Sequence, residues 1–233
     1  DGYKGSAKKF VQKLQRMGLT DSVDYVIPGA EQAKILVPKD TVTISRMAYG
    51  YSVEMSPLQT VMFYNAIANN GKMVAPMLVK EIRSNGETIK TFETTVVKNS
   101  ICGSQTLEDI KTCLHDVVWD NNLGTASVYK WKGHIAKYKA QSQLVPIAGK
   151  TGTAQVMENG RYYSNKHRMS FVGYFPEDAP QYSCICVIHG PRNKGLYDAG
   201  MDCGSVVRHI AEKTMAYTNE YVLQNGNLVF KNK

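Results

Sequence analysis

A cation, two hydroxyls and a glycine stand together in one tetrad, Lys150-Thr151-Gly152-Thr153. The tetrad lies inside the strand-like run 144–156, where a glycine weakens pairing and indicates close approach of a ligand or another backbone. On a strand, Lys150 and Gly152 point to one face and the two threonines to the other. With the free N–H groups of an edge strand, these groups suit a peptide carboxylate and a developing oxyanion. An ordinary strand with a surface lysine is the alternative.

The composition is that of a folded domain. The chain has 233 residues, of which 43% are hydrophobic and 21% are charged, which is enough for one large domain or two small ones. No apolar run approaches the roughly 20 residues that cross a bilayer. The N-terminus has neither an initiator methionine nor the apolar core of a signal peptide. We therefore expect a longer parent chain, with any targeting segment upstream.

The charge and the metal-ligating residues give weaker signals. A net charge of +8 favours anionic partners, but the basic residues form no long run, so nucleic acid is not an expected partner. No metal-ligand spacing occurs, so neither a metal nor another cofactor is expected. The histidines, interpreted as surface or packing residues, are His115, His134, His167, His189 and His209. The cysteines, interpreted as buried free thiols, are Cys102, Cys113, Cys184, Cys186 and Cys203.

Apolar residues at helical spacing predict four helices. They cover 6–19, 57–69, a segment from Thr106 to a stop at Gly124, and 205–217. A surface loop is predicted over 21–42, around its prolines and glycine. The last helix is expected to cover a sheet with one apolar stripe, which comprises Val206, Val207, Ile210, Ala211 and Thr214.

Strand-like runs predict an antiparallel sheet in the last third of the chain, over 144–156, 169–175 and 182–189. A separate hairpin is predicted from 73–82 to 87–95, around Ser84-Asn85-Gly86. The polar tail 219–233 either hangs free or forms a hairpin at Asn225-Gly226. The fold class is therefore α/β of the α+β type, with helices first and then an antiparallel sheet backed by the closing helix.

Further segments accompany the KTG tetrad in a fixed order. They are 48–51 (AYGY), 56–60 (SPLQT), 64–76 (YNAIANNGKMVAP), 124–126 (GTA), 148–155 (AGKTGTAQ), 170–176 (SFVGYFP) and 182–191. Together they resemble class B penicillin-binding proteins over most of 6–217, with KTG as the third family signature. The resemblance implies the penicillin-binding transpeptidase and serine β-lactamase-like fold. It also implies D,D-transpeptidation of cell-wall stem peptides through an acyl-serine intermediate, with penicillin binding.

The resemblance assigns a role to each residue of the tetrad. Lys150 supplies positive charge beside the nucleophilic serine. The hydroxyls of Thr151 and Thr153 contact the carboxylate of the substrate or β-lactam, and the Thr153 N–H is one oxyanion donor. Gly152 leaves room for the peptide backbone. Residues 1–217 are then the C-terminal part of a transpeptidase domain, and 218–233 form a polar tail.

Two family signatures have no match in this chain. No S-x-N triplet occurs, and the S-x-x-K spacings Ser6 to Lys9 and Ser127 to Lys130 lack the family's flanking pattern and order. We interpret both spacings as coincidental. The chain then carries no nucleophile and is expected to be inactive alone, and it is expected to self-associate through faces left without partners. Tyr162, Tyr163 and 166–168 are expected in a loop after KTG, as a solvated turn or as substrate contacts.

By the same resemblance, the parent protein is expected to be anchored by an N-terminal segment and to be periplasmic or at the extracytoplasmic face of the inner membrane. It works there with a glycan-polymerising partner of the elongation or division machinery. Two alternatives stay open. One is a serine β-lactamase or β-lactam sensor, which shares KTG; the other is a basic binding module in which KTG is incidental.

Overall fold

A computed structural model describes residues 7–20, 32–35, 40–131, 134–158, 161–190, 198–218, 221–224 and 227–230. The chain divides into two compact units, Asp1–Leu107 and Glu108–Lys233. Among the described residues, no helix has both the length and the apolar character needed to cross a membrane.

The helices that lie wholly within the first unit, among its described residues, are α1 Ala7–Arg16, α2 Thr41–Ala48 and α3 Pro57–Ala68. The α3 helix starts with a capping box, in which Ser56 Oγ accepts from the Gln59 N–H and the Gln59 side chain accepts from the Ser56 N–H. Pro57 at the first helical position loses no hydrogen bond there. Helices α1 and α3 confirm the sequence prediction.

Helix α2 is absent from the prediction, which placed the segment up to Val42 in a loop. It begins where Asp40 caps the N–H of Thr43 at 2.7 Å, and this bond lowers the pKa of the Asp40 carboxyl. The short helix carries β-branched and polar residues that give no strong apolar period. Residues 21–31 and 36–39 of the predicted loop lie outside the described residues.

The strands of the first unit pair two by two, with the bounds β1 Lys34–Ile35, β2 Val53–Glu54, β3 Met73–Val74, β4 Glu81–Ser84, β5 Glu87–Thr91 and β6 Val96–Lys98. The pairs are β1 with β2, β3 with β6 and β4 with β5, all antiparallel. The hairpin around Asn85-Gly86 is thus confirmed. The predicted strand 73–82 is wrong in one respect, because β3 pairs with β6 and only the second part of the run enters the hairpin.

The second unit contains the larger sheet. The elements that follow β6 are α4 Ser104–Trp119, β7 Val128–Trp131, β8 His134–Tyr138, β9 Ala148–Glu158, β10 Arg161–Phe175, β11 Tyr182–His189, a π-helix Gly200–Gly204, α5 Ser205–Tyr217, β12 Tyr221–Gln224 and β13 Asn227–Phe230. Strands β9, β10 and β11 form the predicted antiparallel sheet in the order β11-β10-β9. Strands β12 and β13 pair as the tail hairpin, and the pair β7–β8 was not predicted.

A hydrophobic core lies between this sheet and the helices of the second unit. Phe171 and Met169 of β10 are buried together with Val207 of α5 and Val118 of α4. The side of α5 that packs is Val207, Ala211 and Met215, at helical spacing. Two residues of the predicted stripe, Val206 and Ile210, are each 41% exposed, so the stripe was placed partly on the wrong side. The prediction was partly wrong because α5 has apolar residues next to each other in sequence, and such residues fit more than one possible buried face of a helix.

All five cysteines are free thiols. Cys203, in the π-helix, is buried, and burial raises the pKa of its thiol to about 12. Cys113 is exposed, because it lies on the outer side of α4, so the expectation of burial is wrong there. Cys184 and Cys186 alternate with Ile185 on β11 and are partly buried.

The neighbouring valines of α5 give a matched test of this packing. Val207→Ala removes buried methyl groups and is expected to lower the free energy of unfolding by about 2 kcal/mol. Val206→Ala, at the exposed neighbour, is expected to change it by less than about 0.5 kcal/mol. Urea unfolding followed by circular dichroism measures both values. Equal losses would contradict the assignment of the buried side of α5.

Candidate active site

Strand β9 carries the tetrad at the edge of the three-stranded sheet. Its partner β10 lies on one side, and no second strand flanks it among the residues that the structure describes. Alternate N–H and C=O groups of such a strand point away from the sheet and are available to a guest chain. The predicted edge position of the tetrad is therefore present.

The register with β10 fixes which way each residue of the tetrad points. Thr151 is opposite Phe171 and Thr153 is opposite Met169, and residues opposite each other share one face of a sheet. Both partners are buried in the core of the second unit. The threonines thus lie on the face that carries the core, at its rim, where Thr151 is partly exposed and Thr153 is exposed.

Gly152 lies directly opposite Ser170 of β10. A Cβ atom at Gly152 would lie 2.6 Å from Ser170 Oγ, which is closer than two such atoms approach. A larger residue at position 152 would therefore require the Ser170 hydroxyl to move. The sequence indicated a close approach at this position, and the structure identifies the Ser170 side chain as one partner.

Lys150 lies on the opposite face from the threonines, and its side chain is exposed overall. Its ammonium folds along the strand, where Nζ donates to the Thr151 carbonyl oxygen at 2.8 Å and approaches the Thr151 hydroxyl at 3.5 Å. Partial burial of the ammonium lowers the pKa of Lys150, because desolvation disfavours the charged form. A lysine with a lowered pKa releases a proton more readily than a fully hydrated one.

The hydroxyl of Thr151 meets a second threonine from outside the tetrad. Thr125 Oγ1 and Thr151 Oγ1 are 2.7 Å apart, a short hydroxyl–hydroxyl hydrogen bond. Thr125 belongs to the turn Gly124-Thr125-Ala126 after α4, in which the Ala126 N–H donates to the Val117 carbonyl at 2.9 Å. The sequence pattern contained this segment but assigned no role to Thr125. Only the fold brings it to the tetrad, across 26 positions of chain.

The serine of one S-x-x-K spacing has no free hydroxyl. Ser127 is 2% exposed, and its Oγ donates to the Gly124 carbonyl at 3.1 Å. It precedes β7, so the helical geometry that would bring Lys130 to its hydroxyl is absent. Ser6 of the other spacing lies outside the described residues. That neither serine is a nucleophile stays a prediction.

The loop expected after the tetrad is wrong, because its residues belong to β10. The strand pairs with β9 on both sides of an irregularity between Tyr163 and His167, which absorbs the extra residues. The Lys166 ammonium lies 4.9 Å from the centre of the Tyr163 ring, a cation–π contact. Arg168 Nε donates to His189 Nδ1 at 3.1 Å. Because the residues before Met169 are mostly polar, the sequence pattern did not indicate that β10 begins well before Met169, the predicted start of the strand.

The site has no metal-binding character in the part of the chain that is described, since no three His, Cys, Asp or Glu side chains there form a group able to hold an ion. Its chemistry is that of one cation, two threonine hydroxyls with a third in contact, and an open strand edge. Groups of these types can hydrogen-bond to an anionic peptide end and polarise it.

Residues 3–215 match the family described as the penicillin binding protein transpeptidase domain. The chain belongs to this family. It is 27% identical over 147 residues to stage V sporulation protein D of Bacillus subtilis. That alignment covers 62% of this chain and 20% of the Bacillus protein. It is 25% identical over 222 residues to the peptidoglycan D,D-transpeptidase FtsI homolog of Mesostigma viride. That alignment covers 87% of this chain and 35% of the Mesostigma protein.

The fold of this transpeptidase-family chain is also that of a solved relative. It superposes on the crystal structure of penicillin binding protein 2X from Streptococcus thermophilus with a TM-score of 0.75 and 22% identity, over 91% of this chain and 30% of that one. The resemblance to penicillin-binding proteins and the mixed fold class are thus confirmed. The chain spans a fifth to about a third of the length of these relatives.

The lowered pKa of Lys150 predicts a direct titration result in this transpeptidase-family chain. By NMR of the lysine side-chain Cε signals, Lys150 is expected to titrate at lower pH in the folded chain than in the urea-unfolded chain, because desolvation lowers its pKa only in the fold. Because the pKa of Lys150 is lower in the folded than in the unfolded chain, its contribution to the free energy of unfolding rises with pH between these two values. Equal titration midpoints of Lys150 in the folded and the unfolded chain would contradict partial burial of the ammonium.

Proposed function

We propose that this chain supplies the lysine-bearing, carboxylate-binding side of a peptidoglycan D,D-transpeptidase site that cross-links cell-wall stem peptides and binds penicillin. The observation that carries the proposal is the tetrad on the open edge of β9, with the Thr151 hydroxyl held by Thr125. An extended peptide end adds to such an edge by strand-like hydrogen bonds. Its carboxylate accepts from the hydroxyls of Thr151 and Thr153, and the charge of Lys150 favours the anion.

The reaction proceeds through two acyl transfers. A serine oxygen attacks the scissile carbonyl and loses its proton, and the peptide C–N bond breaks as the leaving amine takes up a proton. The amine of a second stem peptide then attacks the acyl-serine ester, forms the cross-link and returns the proton to the serine. In both steps the carbonyl oxygen becomes negative, and the Thr153 N–H is one donor to it.

The nucleophile and the second oxyanion donor come from outside the tetrad. We expect them in an S-x-x-K segment of a longer chain, followed by S-x-N, as the family pattern implies. The lowered pKa of Lys150 supports a role beside that serine, because an ammonium that is easily deprotonated assists proton transfer. The 233 residues alone then bind but do not turn over a substrate.

The cellular setting follows from the same proposal. The relatives named above include a peptidoglycan D,D-transpeptidase homolog and a sporulation protein. We infer an extracytoplasmic site of action, where stem peptides are present, and a glycan-polymerising partner that supplies the strands to be cross-linked. A net charge of +8 suits binding to an anionic cell-wall polymer.

A fluorescent penicillin is expected to leave the 233-residue chain without a covalent label. The expectation is supported by the burial of Ser127, whose hydroxyl donates to the Gly124 carbonyl. Intact-mass spectrometry after incubation measures the adduct. An adduct mapped to Ser6 or Ser127 would show that the chain carries its own nucleophile and would overturn the proposed division of the site.

In a longer chain that includes the S-x-x-K segment, Lys150→Ala is expected to slow acylation by penicillin at least about a hundredfold. The melting temperature is expected to change little, because an exposed lysine contributes little to packing. Lys137→Ala is the matched control and is expected to change neither quantity. Stopped-flow acylation and thermal unfolding measure the two effects. A loss of activity that only parallels a loss of melting temperature would contradict a catalytic role.

A further inference from the structure

The turn that brings Thr125 to the tetrad is held by a charged pair from two other parts of the second unit. Lys139 follows β8, and its Nζ donates to the Thr125 carbonyl oxygen at 3.2 Å. The same Nζ lies 2.7 Å from Asp198 Oδ2, in the segment before the π-helix. The backbone carbonyl and the side-chain hydroxyl of Thr125 thus have separate partners, the Lys139–Asp198 pair and Thr151.

This pair is well placed to hold a fixed geometry. The side chains of Lys139 and Asp198 are 13% and 32% exposed, so water and salt screen the pair less than they screen a surface ion pair. Asp198 is itself oriented, because its Oδ1 accepts from the Met201 N–H at 3.0 Å. The hydrogen bond from Lys139 to the carbonyl is charge-assisted, and such bonds are stronger than bonds between neutral groups.

Hydrogen bonds hold the backbone at the lysine and at the residue that follows it. The Lys139 N–H donates to the Ser127 carbonyl at 3.1 Å, and the Ala140 N–H donates to the Ala126 carbonyl at 2.9 Å. Arg208 Nε of α5 donates to the Lys139 carbonyl at 3.1 Å. The lysine therefore reaches Thr125 from a backbone that is already anchored.

Gly200 completes this arrangement by allowing close approach. A Cβ atom there would lie 2.3 Å from the Thr125 carbonyl oxygen, so the π-helix packs directly against the atom that Lys139 binds. The carbonyl is confined by Gly200 on one side and bonded by Lys139 on another. Movement of the turn is consequently restricted at the residue whose hydroxyl contacts Thr151.

We propose that Lys139 and Asp198 are positioning residues for the Thr151 hydroxyl, and through it for recognition of the substrate carboxylate. The proposal rests on the function proposed above for Thr151. The pair does not touch the substrate. It holds the Thr125 turn so that the hydroxyl of Thr125 keeps the hydroxyl of Thr151 in one orientation at the edge of β9.

The first test measures the position of Thr151 without any catalysis. In the 233-residue chain with 13C-labelled threonine methyl groups, Lys139→Met is expected to shift the signals of both Thr125 and Thr151. The methionine keeps the apolar stem but lacks the donor. Lys139→Arg retains a cationic donor and is expected to restore most of the wild-type shifts, and Lys137→Met, at an exposed position of β8, is the matched control and is expected to leave both signals unchanged.

Asp198→Asn provides a second variant that keeps the fold, because its amide oxygen still accepts from the Met201 N–H. It removes the ion pair but leaves Lys139 able to reach the Thr125 carbonyl, so a smaller shift in the same direction is expected. An unchanged Thr151 signal in both Lys139→Met and Asp198→Asn would overturn the proposal.

The second test measures penicillin binding and acylation separately in the longer chain. Lys139→Met is expected to raise the dissociation constant of the initial complex about tenfold, with a smaller effect on the acylation rate, because the carboxylate contact is weakened while Lys150 is intact. A purely structural role would lower the melting temperature or the active fraction and leave that constant unchanged. If the wild-type longer chain is not acylated, the proposed function fails, while the Thr151 signal still decides the positioning role.

Discussion

The pairing of β9 with β10 is the constraint on which the rest of the site depends. One edge of β9 is committed to β10, so the tetrad stands at the other edge. Phe171 is buried in the core opposite Thr151, and a shift of the register by one residue would expel it. If β9 rather than β10 turned over to accommodate the shift, Lys150 and the threonines would point to the wrong faces. Burial of Met169, Phe171 and Phe175 of β10 thereby orients polar groups that contribute nothing to the core.

The C-terminal end of α4 holds the chain just before β9 and the turn that contacts β9. Trp119 Nε1, at the end of α4, donates to the Ile147 carbonyl at 2.9 Å, just before β9. His115 stacks on Trp119 and lies 2.7 Å from Glu177, whose carboxyl has a pKa raised mainly by burial. The turn that follows α4 brings Thr125 into contact with β9. One helix end therefore anchors both the tetrad strand and the threonine that contacts it.

Several features of the tetrad lower the stability of the fold, and the sheet and core around it supply the stability that they cost. Lys150 keeps its ammonium partly desolvated, and an edge strand leaves backbone groups without strand partners. Gly152 gives up side-chain packing because Ser170 occupies the space. The core beneath, with Val207 and Met215 of α5 fully buried, is large enough to support these features. Such a division, in which the core stabilises and the rim binds, is typical of a functional site on a rigid scaffold.

The sequence by itself determined the helices with strong apolar periods, the three-stranded sheet and the tetrad, because each depends on local spacing and on residue type. It also determined the family, through motifs that keep their order along the chain. The full length of β10 and the buried side of α5 were decided by packing that local patterns do not record, whereas helix α2 begins at a local cap, Asp40, that the sequence prediction missed. Packing also decided the places of Thr125, Lys139 and Asp198. Only the tertiary structure brings the Lys139 ammonium within hydrogen-bonding distance of both the Thr125 carbonyl and the Asp198 carboxylate, because the segments that carry these residues pack around one core.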